Sequence, residues 1–152
     1  MVPVVGAYSA AISTALQCAE RIGIITTDEA GILNEEKKAR EAGAAEKIVS
    51  IRALDASVAE IITDREKVLR ALADLCCRMA AEDRVSCICL GCTAMFSVYG
   101  NLLKEIRKQG AALTVIEPTA NGMLTLQSLV RMGAGTHIPG TVDFSGLYWI
   151  QQ

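Results

Sequence analysis

Short β-branched runs alternate with longer helical patterns along most of this 152-residue chain, and this alternation constrains its fold more than any other feature. The runs predict five strands, over residues 2–5, 21–26, 47–52, 84–90 and 113–116. Helical patterns follow each run, over residues 7–20, 28–42, 64–81, 100–108 and 121–132. We therefore predict an α/β fold, with a parallel sheet of about five strands and helices on both faces.

Local signals refine this arrangement. Residues 84–90 read RVSCICL, a nearly continuous apolar run typical of a central parallel strand that is buried on both faces. Gly43, Gly110 and Gly133 follow helical patterns at positions where glycine commonly ends a helix. Thr27 precedes two acidic residues, so we predict that its hydroxyl caps the second helix.

Composition excludes several classes of protein. Hydrophobic residues make up 51% of the chain and charged residues 21%, which is typical of a packed core and not of a disordered chain. The net charge of −2 provides no basic surface for nucleic acid. No apolar run approaches the ~20 residues of a membrane helix. We expect one domain over residues 1–133, followed by a tail over residues 134–152.

The cysteines suggest a compartment and raise the question of a metal. The N-terminus lacks the basic region of an export signal, so we expect a cytoplasmic protein with reduced thiols. Cys87, Cys89 and Cys92 are spaced like metal ligands, but no second cysteine pair follows and the chain has a single histidine. Cys87 and Cys89 would share one face of a strand as buried thiols. We therefore expect no metal.

Ligands of parallel α/β sheets bind outside the carboxyl ends of the strands, so the residues just after each predicted strand are the candidates for chemistry. These are residues 6–8, 26–28, 54–55, 91–93 and 117–119. Neither a dinucleotide-binding nor a P-loop glycine motif occurs at any of these ends. We therefore expect no cofactor.

The segment Gly91-Cys92-Thr93 is the most informative of these ends. Gly91 permits a tight turn after the buried strand, and Cys92 then stands at or beside the start of a helix, where a thiolate is favoured. Thr93 adds a hydroxyl. Thr26 and Thr27 supply hydroxyls and N–H groups at another strand end, as an anion requires, although both could be simple helix caps.

These segments resemble the aspartate/glutamate racemase superfamily. Gly91-Cys92-Thr93 is similar to its second catalytic-cysteine motif, and Met95 brings the match closer to the hydantoin racemase branch. Residues 2–6, 22–27 and 115–118 are similar to successive stretches of the same enzymes. The resemblance runs from residue 2 to residue 133, and implies a racemase-like α/β region that spans the second lobe and the return to the first.

The resemblance also implies cofactor-independent proton transfer at a carbon next to a carbonyl, between a thiolate and a thiol on opposite faces of the substrate. Cys92 corresponds to the second catalytic cysteine. Thr26, Thr27, Gly91 and Thr93 correspond to residues that bind the substrate. The expected partner is a small molecule with a carboxylate or a polarised carbonyl, such as an amino acid or a hydantoin.

In the family, the first catalytic cysteine lies upstream of the stretch that corresponds to residues 2–6. We therefore expect this chain to lack the N-terminal part that carries it. Two alternatives follow: a single-cysteine enzyme similar to arylmalonate decarboxylase, or an inactive module for binding or assembly. Apolar surface left open by a missing lobe would favour a homo-oligomer.

Overall fold

A computed structural model describes residues 2–135 of the chain, and within them four parallel strands form one sheet. The strands are β1 (Ile22–Thr26), β2 (Ile48–Ala53), β3 (Cys87–Leu90) and β4 (Thr114–Ile116). They lie in the order β2-β1-β3-β4. This order confirms the predicted parallel α/β architecture and places β1 and β3 at the centre of the sheet.

Helices cover both faces of the sheet, as predicted. They are α1 (Ala7–Cys18), α2 (Glu29–Glu41), α3 (Val58–Thr63), α4 (Arg65–Glu82), α5 (Phe96–Lys108) and α6 (Pro118–Arg131). The larger core cluster joins α3, α4 and α5 to one face, and the smaller cluster joins α1 to the other. Helix α2 contacts β1 and β2, and α6 packs against α1.

Strand β3 has the central position that its apolar run predicts. All four of its residues are buried, and it pairs with β1 on one side and β4 on the other. Its side chains alternate between the two clusters: Cys87 and Cys89 face the smaller one, and Ile88 and Leu90 face the larger one. The carboxyl ends of β1 and β3 are therefore adjacent, at the middle of one edge of the sheet.

The predicted strand over residues 2–5 is wrong, and the sheet has four strands instead of about five. In the structure this segment is irregular, with Val2 48% and Val4 62% exposed. A strand of a packed sheet needs an apolar face to bury. Pro3 removes one donor from any strand ladder, and within the described residues the sheet ends at β4.

Two details of the helices also differ from expectation. Asp28, and not Thr27, caps α2: its carboxylate accepts the N–H of Gly31 at 2.9 Å, since a carboxylate is the stronger acceptor for a helix N-terminus. Helix α3 was not predicted, although Ser57 and Glu60 form the capping box that opens it. The predicted glycine stops are confirmed, because Gly43, Gly110 and Gly133 all have positive φ.

The tail expected over residues 134–152 lies outside the described residues from residue 136 onward. Among residues 2–135, every helix is too short or too polar to reach across a lipid bilayer.

Candidate active site

Gly91 brings the end of β3 directly against β1. Its N–H donates to the carbonyl oxygen of Ile25 at 2.7 Å. A Cβ atom at this position would stand 2.9 Å from that same oxygen and 3.4 Å from Cα of Thr26. Contacts this short are not tolerated between a side chain and a backbone, so the close approach of the two chain segments requires glycine here.

Cys92 follows in an extended conformation, with φ −125° and ψ 127°, and caps a short 3-10 helix over Thr93–Met95. That turn runs directly into α5, and the carbonyl of Cys92 accepts the N–H of Met95 at 3.1 Å. Cys92 is half-buried and packs against the larger core cluster. The predicted position of a cysteine at a strand end that opens a helix is therefore confirmed.

None of the other five cysteines follows the end of a strand, although Cys89 lies one residue before the end of β3. Burial raises the pKa of Cys76 to about 12, and a hydrogen bond with Cys87 together with burial raises the pKa of Cys89. Burial and the nearby Asp74 also raise the pKa of Cys77. All six cysteines are free thiols. Because Cys87 and Cys89 face the smaller core cluster while Cys92 packs against the larger one, the three thiols do not converge.

No group of three or more His, Cys, Asp or Glu side chains within residues 2–135 is placed to hold a metal ion.

Thr26 and Thr27 end β1 beside this segment, but their side chains differ in exposure. Thr26 is 5% exposed, and its hydroxyl lies against Gly31 of α2. Thr27 is half-buried, and its hydroxyl donates to Asp28 at 3.4 Å. The carbonyls of both threonines accept N–H groups from the loop after β2, at 2.9 and 3.1 Å. Their backbone thus shapes this edge, and their role in substrate binding stays a prediction.

A cleft of about 80 Å³ opens at the carboxyl ends of the central strands, and we call it the strand-end cleft. Its walls come from α1, α2, β1, β3, the residues after β3, and the start of α6. They include Ala7, Tyr8, Lys38, Gly91, Thr93 and Pro118. Gly91 and Thr93, the neighbours of Cys92, are thus brought together with residues of three helices.

The polar groups along the α1 and α2 walls form a connected set. The ammonium of Lys38 lies 5.0 Å from the centre of the Tyr8 ring and donates to Glu35 at 2.7 Å. Burial raises the pKa of Tyr8, and the nearby Glu35 carboxylate and Cys89 raise it further. The phenol therefore stays protonated, and its O–H remains available for donation, over the whole working pH range.

A buried carboxylate caps the helix that begins at the same edge of the sheet. Glu117 follows β4 and accepts the N–H groups of Thr119 at 2.9 Å and Ala120 at 2.7 Å, which caps α6. Pro118 occupies the first helical position, where its missing N–H costs nothing. The Glu-Pro pair thus explains why α6 begins at the strand end and how Pro118 reaches the cleft.

A wider groove lies elsewhere on the described residues. It has a volume of about 650 Å³ and runs between the end of β2 and α4, lined by Leu54, Asp55 and Cys77 among others. None of its lining residues belongs to the segment 91–93. The volume of a groove alone would therefore not identify the site beside Cys92.

Sequence reasoning singled out segments 6–8 and 117–119 as strand ends, but it did not assign Tyr8 or Pro118 to the site, and it missed Lys38. Lys38 lies three turns into α2 and carries no local signal of a site. The Glu-Pro pair at residues 117–118 is a local signal that predicts the start of a helix at Pro118.

Comparison with known proteins identifies the family. The family model of Asp/Glu/Hydantoin racemase matches residues 1–125. Allantoin racemase from Klebsiella pneumoniae has a similar structure, with a TM-score of 0.81 at 24% identity, over 96% of this chain and 60% of that one. Allantoin racemase from Pseudomonas fluorescens gives a TM-score of 0.79 at 26% identity, over 93% and 61%.

The chain thus spans about 60% of the length of these two racemases. No curated protein matches its sequence. Because the family model covers most of the chain, this protein belongs to the Asp/Glu/hydantoin racemase family.

Proposed function

We propose that this chain supplies one half of a cofactor-independent racemase site, in which Cys92 exchanges a proton at a carbon next to a carbonyl. The observation that carries the proposal is the position of Cys92, half-buried between the carboxyl end of the central strand β3 and the start of a helix. Membership of the racemase family supports the same reaction class.

The proton transfer is simple to balance. The thiolate of Cys92 takes the Cα proton, so the C–H bond breaks, an S–H bond forms, and the electron pair moves onto the carbonyl oxygen. The first N–H groups of a helix have no intrahelical partner and favour negative charge, so in this proposal the enolate oxygen lies at the start of the Thr93–Met95 turn. Return of the proton from Cys92 restores the centre, whereas inversion needs a donor on the opposite face.

A second candidate is decarboxylation that uses one cysteine. Cys92 is the only cysteine of the chain that follows the end of a strand of the described sheet, and a lone thiol suffices to protonate an enediolate after CO₂ leaves. In that reaction the C–C bond to the carboxylate breaks, CO₂ carries away the carboxyl carbon, and the S–H proton forms the new C–H bond.

Proton exchange in D₂O separates the candidates. Incubation with the enantiomers of 5-methylhydantoin, aspartate and glutamate, followed by ¹H NMR and chiral chromatography, should show loss of the Cα–H signal. Exchange with inversion indicates a complete racemase, and exchange with retention indicates one-sided chemistry at Cys92. Release of CO₂ from a disubstituted malonate without exchange would favour the decarboxylase. Absence of all these reactions would contradict an enzymatic role for the isolated chain.

We also infer a reducing, cytoplasmic location, which the six free thiols support. A second inference is that the chain forms a homo-oligomer. Several large apolar side chains of α6 are exposed, namely Met123, Leu124, Leu126 and Val130. Covering them in a second copy would remove apolar surface from water. Light scattering should therefore give a mass above that of the 16.2 kDa chain, and a monomer at all concentrations would contradict the oligomer.

A further inference from the structure

One hydroxyl group beside the proposed catalytic segment is buried without a partner. Tyr8 is half-buried overall, but its Oη atom is inaccessible to solvent and has no hydrogen-bond partner among residues 2–135. The second tyrosine of the described region provides a contrast. The hydroxyl of Tyr99 donates to the carbonyl of Val115 at 3.0 Å, as a structural tyrosine normally does.

Buried polar groups in folded proteins are almost always hydrogen-bonded, so an exception requires an explanation. Tyr8 lines the strand-end cleft together with Gly91 and Thr93. The hydroxyl of Thr119, next to Pro118 of the cleft wall, is also buried with no partner in the described residues, as is one oxygen of Glu35. Of these three groups, only Tyr8 belongs to a residue that lines the strand-end cleft.

We propose that Tyr8 is a substrate-binding residue, whose phenol hydroxyl donates a hydrogen bond to a carbonyl or carboxylate oxygen that the substrate places in the strand-end cleft. This inference rests on the proposed function of Cys92, because a substrate held there would lie beside Gly91 and Thr93. It adds a residue from α1 to a site otherwise built from the ends of β1 and β3.

The dimensions of the cleft indicate which part of a substrate it holds. Its volume is about 80 Å³, more than the roughly 10–15 Å³ that one water molecule needs. The cleft therefore has room for a carbonyl or carboxylate oxygen. The Lys38 ammonium over the Tyr8 ring is balanced by Glu35, so the walls select an oxygen acceptor by hydrogen bonding more than by net charge.

The ring position itself is well fixed. The face of Tyr8 receives the Lys38 ammonium at 5.0 Å, and the ring packs against the smaller core cluster. A donor held in place before the ligand arrives loses little conformational entropy on binding. Because the Oη atom is covered, a neighbouring side chain of the cleft wall must move to let a ligand oxygen reach it. Removal of the hydroxyl alone should weaken binding without moving the ring.

Tyr8→Phe and Tyr99→Phe form a matched pair that tests the proposal. Both are made in a Cys92→Ala background, so that binding of 5-methylhydantoin, L-aspartate and L-glutamate can be measured by calorimetry without turnover. Tyr8→Phe should raise the Kd of the bound probe about tenfold, the loss expected for one hydrogen bond, and should leave the melting temperature equal or higher. Tyr99→Phe should lower the melting temperature and leave the Kd unchanged.

An unchanged Kd in Tyr8→Phe overturns the inference, as does a drop in melting temperature equal to that of Tyr99→Phe, because the hydroxyl would then have a structural partner. Failure of the proposed reaction looks different. Wild-type protein that binds a probe through Tyr8 but never exchanges its proton contradicts the role of Cys92 alone. Absence of saturable binding for every probe contradicts both.

Discussion

Replacement of Cys92 by alanine should reduce Cα–H exchange by about a thousand-fold, within the range found for general acid–base groups. The variant keeps the fold, because Cys92 is only half-buried and its side chain caps no N–H group. Cys92→Ser should be almost as inactive, since a hydroxyl has nearly the same shape but is a far weaker acid than a thiol. Exchange in D₂O, followed by ¹H NMR, measures the loss.

Cys77→Ala is the matched control for this experiment. Cys77 is also half-buried and also packs against the larger core cluster, but it lies on α4 and lines the groove beside β2, apart from the segment 91–93. It should retain the wild-type rate of exchange. Equal exchange rates in Cys92→Ala and wild-type protein would show that Cys92 takes no part in the reaction. Equal losses of exchange rate in both cysteine variants would indicate a packing effect.

Gly91→Ala should be the most damaging change of a single methyl group in the described structure. The new Cβ would stand 2.9 Å from the Ile25 carbonyl oxygen, at the centre of the sheet. Relief requires β1 and β3 to move apart, which weakens the 2.7 Å hydrogen bond from Gly91 to Ile25. We expect a loss of about 2–3 kcal/mol in the free energy of unfolding, as for other overpacked cores.

The same shift displaces Cys92 and Thr93, so activity should fall even at temperatures where the variant remains folded. Urea unfolding and exchange rates measure the two effects. Gly100→Ala is the control, because Gly100 lies within α5 and a Cβ there meets nothing within 4 Å. It should raise stability by roughly 0.5–1 kcal/mol. A neutral Gly91→Ala would contradict the close approach of the two strand ends.

Much of this fold could be predicted from local patterns because those patterns have local causes. Glycine adopts positive φ at low cost, so the stops at Gly43, Gly110 and Gly133 were readable one residue at a time. The buried run at β3 reflects helices on both sides of a central strand. The position of Cys92 follows from the end of that strand and the start of the next helix.

The errors concern interactions between distant segments. Residues 2–5 have a strand-like composition, but the segment is irregular in the structure, and Pro3 cannot donate to a strand ladder. The strand-end cleft joins Tyr8 of α1 to Lys38 of α2 and Thr93 after β3. No sequence window contains all three, and nothing in the pattern of α2 distinguishes Lys38 from its exposed neighbour Lys37. Helix α3 is a different case, because its capping box lies within four consecutive residues and is a local signal.

The strand order also bears on how the chain folds in time. Strand β1 pairs with β2 after a single intervening helix, but its pairing with β3 spans α2, β2, α3 and α4. Long-range parallel pairing requires closure of a large loop and is slow. During synthesis, β1 and β2 can form a half-sheet whose inner edge stays open until β3 leaves the ribosome. The carboxyl edge that holds Cys92 therefore forms only after β3 has emerged, and until then a nascent chain exposes the unpaired N–H and C=O groups of β1.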